Sequence, residues 1–214
     1  MYAYCASNSW IFKLELHEAL TQIAEIRARV AETERFRGYR AVPVAASGLV
    51  AFIAGLVQSR MALDPSHDIR DYLTLWVSAA VAGALISGSG IWLRFHSGVD
   101  RLAREMTWLA VGQFAPCLVA GAMVTIAIIR HAPEHAELLP GLWQVFFSLG
   151  VFASCRLLPK AIVLVGVFYL VAGIFNLTRA GDMALSPWSM AIPFGIGQLG
   201  TAALLYWNLE RANA

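Results

Sequence analysis

PGLWQVFFSLGVFASCRLLPKAIVLVGVFYLVAGIFNL, residues 140–177, decides the fold. Its only charged side chains are Arg156, in the last turn of one apolar run, 140–158, and Lys160, which separates that run from the next, 161–178. A helix needs roughly 20 apolar residues, within a range of about 17 to 25, to cross a hydrocarbon layer. In lipid every backbone N–H and C=O must find a partner inside the protein, which leaves the helix as the natural form for an isolated apolar run. Each run is therefore predicted to be a membrane-spanning helix, with Arg156 reaching from its end toward the headgroups.

Four more runs have the same character: 41–58, 72–93, 106–129 and 188–206. None of the six carries Asp, Glu, Lys or Arg in its middle. Trp76, Trp92, Trp108, Trp143, Trp188 and Trp207 all fall near run ends, where an aromatic belt would place them. Across all 214 residues, 58% are hydrophobic and 14% charged; soluble domains are about a quarter charged. A net charge of +2 and the lack of a basic run with interleaved aromatics exclude nucleic acid as a partner. The expected fold is all-α: a polytopic membrane protein of six transmembrane helices preceded by a cytoplasmic amphipathic helix.

Charge sets the expected orientation. Twelve of the sixteen Lys and Arg residues precede the first run, follow the last, or lie in the second and fourth loops. Only Arg60, Arg70, Arg130 and Arg179 lie on the other side, so the positive-inside rule puts both termini in the cytoplasm. Loops 59–71, 130–139 and 179–187 then face outward. A ratio of fourteen Arg to two Lys, with abundant Ala, points to a bacterial chain and hence to the inner membrane. The first ten residues, MYAYCASNSW, lack the basic start of a secretory leader.

Residues 1–40 read differently from the rest. SNS at 7–9 offers an N-cap, and Leu16, Leu20, Ile23, Ile26 and Val30 follow at helical spacing. Glu18, Glu25, Arg29 and Glu32 lie largely off that stripe. The segment reads first as a helix packed on the membrane surface or on the cytoplasmic loops, and second as a docking or self-association helix. Mixed signs on the polar face argue against a purely lipid-seeking basic helix. The organisation is thus an amphipathic helix over 1–40, a bundle over 41–206 and a short tail over 207–214.

Inside the bundle, Ser47, Ala51 and Gly55 form one small-residue stripe, and Ala79, Gly83 and Ser87 another; both let helices approach closely. The polar residues at depth are Gln113 and Gln198, each after a glycine and each in a run with an internal proline, Pro116 or Pro193. A proline leaves a carbonyl one turn earlier without its helical donor, and neighbouring groups must supply one. These four residues predict a shared polar site between the third and sixth helices. The repeated Gly-Gln is too short to establish an inverted repeat.

His17, His67, His96, His131 and His135 all lie outside the runs, which removes haem ligation between spans. HAPEH, residues 131–135, matches the H-x-x-E-H pattern of inverted zinc proteases. That chemistry needs both histidines on one stable helix, and Pro133 stands between them. His131, His135 and His67, with nearby carboxylates, are better read as an outer polar rim suited to a weak divalent metal or a pH response. Cys5, Cys117 and Cys155 form neither a C-x-x-C pair nor a metal-spaced set. No cofactor is implied.

The expected function is that of a non-enzymatic scaffold, sensor or accessory subunit of a membrane complex. The alternative is a small oligomeric transporter or channel with its site near Gln113 and Gln198, and a metal-dependent membrane enzyme comes last. The expected partners are the lipid bilayer and a protein bound through the N-terminal helix.

Overall fold

A computed structural model describes residues 41–61, 69–96, 101–179 and 181–207. The amphipathic segment over 1–40, His67 and the tail from 208 lie outside the described residues. Six α-helices run through the described part: α1 (Ala41–Arg60), α2 (Ile69–His96), α3 (Arg101–His131), α4 (Leu139–Ser154), α5 (Ile162–Thr178) and α6 (Pro187–Leu205). Five stretches are long and apolar enough to cross a membrane: Ala41–Arg60, Ile69–Gly90, Thr107–His131, Pro133–Leu157 and Pro187–Leu205. The sixth helix, α5, is equally apolar in character but shorter, at 17 residues. The chain is a helical protein of membrane type.

Prolines place several of these starts. Pro140 stands in the first turn of α4 and Pro187 opens α6, where a missing N–H costs nothing. The α3–α4 connection is not an open loop as expected over 130–139. A 3-10 helix, Pro133–Leu138, fills it and runs directly into α4.

α1 packs along α6, with Gly48 against Gly195 and Gln198, and Gly55 against Pro187 and Ala191. The two helices are therefore antiparallel. α2 returns along the other side of α1, with Gly83 beside Ser47 and Gly90 on Pro43. α4 pairs with α5, where Gly141 meets Gly173 and Gly166 meets Phe152, and α3 lies on α4 through Phe114 at Gly150. The expected small-residue stripes serve these seams: Gly55 belongs to the α1–α6 contact, and Gly83 to α1–α2.

One end of the bundle carries the α1–α2, α3–α4 and α5–α6 connections and is called here the first-loop end. Its core is Ala54, Tyr72, Trp76, Leu185, Met190 and Ala191. The opposite end is filled by Ala41, Val44, Val151, Ile162, Ala202 and Leu205. Between them the rings of Phe114, Phe147, Tyr169 and Phe194 stack in a chain with centroids 4.7 to 5.4 Å apart. Aromatics at these distances prefer tilted or edge-on contacts, and all four pairs adopt them.

α2 and α3 flank the bundle, and only 6% of each membrane-length window is buried. Val81, Leu85, Leu118, Val119 and Met123 are among their exposed side chains. Apolar surface on that scale does not face water in a soluble monomer. Of the tryptophans expected in an aromatic belt, Trp92, Trp108, Trp188 and Trp207 are exposed. Trp76 is instead core, and Trp143 is half-buried.

Candidate functional site

Pro193 has no N–H to donate to the Ser189 carbonyl one turn earlier. Two neighbouring helices supply the missing donor. Gln144 of α4 donates through Nε2 at 2.8 Å and Asn176 of α5 through Nδ2 at 2.9 Å. Asn176 Nδ2 also donates to Gln144 Oε1 at 3.0 Å, which locks the two amides together. Met190 Sδ lies 3.9 Å from Gln144 Nε2. Gln144, Asn176 and Ser189 are all buried, so every bond in this node is shielded from solvent.

The same end holds two smaller nodes. Gln58 Nε2 donates to the Leu185 carbonyl at 2.9 Å, and Trp76 Nε1 donates to Gln58 Oε1 at 2.9 Å. Trp143 Nε1 donates to Thr125 Oγ1 at 2.8 Å, and that hydroxyl donates to the Gly121 carbonyl. Ser189 Oγ bonds the Met183 carbonyl at 3.0 Å. The α5–α6 connection is thereby held from α1 through Leu185 and from α6 through Met183.

Amides, hydroxyls and indoles do not ionise near neutral pH, and these ones are hydrogen-bonded to one another or to backbone carbonyls. The arrangement is suited to holding helices in register rather than to reacting.

The four predicted intramembrane residues separate. Pro193 belongs to the amide node. Gln113 stands on α3, whose main neighbour is α4, and its Oε1 is buried without a hydrogen-bond partner. Gln198 stands on α6 at the α1 seam, with Gly48 against its Cβ. It also approaches the Tyr169 hydroxyl without reaching hydrogen-bond geometry. Pro116 lies within α3, on an exposed stretch. Phe114, the residue after Gln113, reaches Tyr169 through Phe147.

At the rim, His131 closes α3 while His135 lies in the following 3-10 helix. Ala132 between them has φ −150° and ψ 55°, outside helical geometry. The two histidines therefore do not share one helix face, as the protease pattern requires. His135 Nδ1 is 3.8 Å from Glu137 Oε1, an ion pair only when the imidazole is protonated. Among the described residues, no three His, Cys, Asp or Glu side chains gather as a metal site.

Sequence reasoning missed Gln58, Gln144 and Asn176. The usable signal was the carbonyl released by Pro193, together with amides near the first-loop ends of three other helices. No protein-family model, curated protein or solved structure matches this chain.

Proposed function

We propose that this chain is a non-enzymatic, six-span membrane protein acting as a scaffold, sensor or accessory subunit of a membrane complex. In this reading the segment over 1–40 makes the partner contact and both termini are cytoplasmic, in keeping with the Lys and Arg distribution. One observation carries the reading. The described interior is occupied by the four-ring aromatic chain and, toward the first-loop end, by a hydrogen-bonded amide node. These groups join helices to one another and offer neither a buried charge nor a nucleophile to a substrate.

The test is site-specific photocrosslinking in intact membranes. One recurrent crosslinked protein is expected, and it disappears when residues 1–38 are deleted. The reading fails if no protein crosslinks while proteoliposomes carry a solute in a manner abolished by Gln113→Leu or Gln198→Leu. That outcome would support a small oligomeric transporter, whose specific support is the unpartnered Gln113 Oε1 and Tyr169 hydroxyl.

A further inference from the structure

At the first-loop end a cavity of about 250 Å³ opens between the two flanking helices, lined by Leu73 of α2 and by Thr125, Ile126, Ile129 and Arg130 of α3. Ile126, Ile129 and Arg130 follow one another at helical spacing, so they share a face of α3. The hydroxyl on that wall is already engaged: Thr125 Oγ1 donates to Gly121 and accepts from Trp143. Below Arg130 the cavity wall is therefore apolar in chemistry.

Arg130 stands in the last turn of α3, one residue from the end of the membrane-length window, and is exposed. It forms no ion pair with any described residue. A guanidinium at the membrane edge, directly above an aliphatic slot that faces lipid, is complementary to a molecule with an anionic head and a hydrocarbon tail. Guanidinium matches phosphate oxygens two at a time, and the aliphatic slot offers dispersion contacts along an acyl chain.

We propose that the α2–α3 cleft binds one anionic glycerophospholipid, with its phosphate on Arg130 and an acyl chain along Leu73, Ile126 and Ile129. A free phosphate has no use for the slot. A partner helix has no counterpart to the unpaired cation unless it brings its own acid.

The test uses the full-length protein in mild detergent, with bound lipid counted by native mass spectrometry. Phosphatidylglycerol and phosphatidylcholine of equal chain length compete for the site. One retained phosphatidylglycerol is expected, preferred about five-fold, the selectivity that one arginine near a surface supplies. Arg130→Gln should abolish the headgroup preference yet leave a lipid bound. Ile126→Trp, at an exposed position that tolerates bulk, should lower retention of both lipids. An unchanged preference in Arg130→Gln overturns the proposal, as does unchanged retention in Ile126→Trp. Displacement of the lipid by millimolar inorganic phosphate would also overturn it, because the site would then be a simple anion site.

Discussion

At the residue scale, the packing of α4, α5 and α6 turns on a hydrogen bond that Pro193 cannot make. The Ser189 carbonyl receives two side-chain donors instead of one backbone donor. Interhelical hydrogen bonds in membranes average about 0.6 kcal/mol, whereas leaving a buried partner unsatisfied costs about 1–3 kcal/mol. The second effect dominates for Asn176→Leu, which orphans Gln144 Oε1. That variant should unfold about 1–3 kcal/mol more easily in bicelles. Pro193→Ala restores a backbone donor to Ser189 but none to Gln144 Oε1, so Asn176→Leu should cost about as much in that background. A clearly smaller cost in that background would show that the Ser189 carbonyl, and not Gln144 Oε1, is the acceptor that matters. Gln144 and Asn176 were legible as amides but not as a pair, because they are 32 residues apart and meet only when α4 folds onto α5.

At the element scale, close helix contact depends on missing side chains. The Phe52 ring lies directly on Gly195 and the Ala191 Cβ on Gly55, so a side chain at Gly55 must push α1 from α6 and one at Gly195 must displace the Phe52 ring. Gly195→Leu should destabilise the protein by about 1–3 kcal/mol through overpacking. Gly112→Leu is the matched control: nothing lies within 4 Å of that position, and the change should fall within about 0.5 kcal/mol. Thermal unfolding of the two variants side by side checks the pair. The helices themselves were readable from apolar length alone, with ends shifted by a few residues. The α3–α4 connection was not, because Pro133 ends one helical path and is also acceptable at the start of the next. The same proline therefore reads either as a loop or as a helix start.

At the scale of the whole molecule, α2 and α3 are the helices that the bundle leaves most open to the bilayer. The proposed alternation of spans predicts where each connection can be reached. With the native cysteines replaced by alanine, His135→Cys should react with an impermeant maleimide on intact cells. Lys160→Cys should react only after permeabilisation. Both positions are exposed at opposite ends of α4, so labelling from one side would contradict six alternating spans. Loss of phosphatidylglycerol selectivity in Arg130→Gln belongs to this scale too, since that cleft needs both α2 and α3.

The sequence by itself determined that this is a helical chain of membrane type, and roughly where its helices lie. Those properties are local: they follow from the length of each apolar run and from a backbone that must satisfy its own hydrogen bonds in lipid. Tertiary structure alone decided which polar groups meet. Gln113 and Gln198, alike in sequence context, stand on helices with different main neighbours, α4 for the first and α1 for the second. Gln144 and Asn176, unremarked near their helix ends, converge on the carbonyl that Pro193 releases. Pairing across helices depends on the rotation and neighbour order of packed cylinders, which no single run of residues encodes.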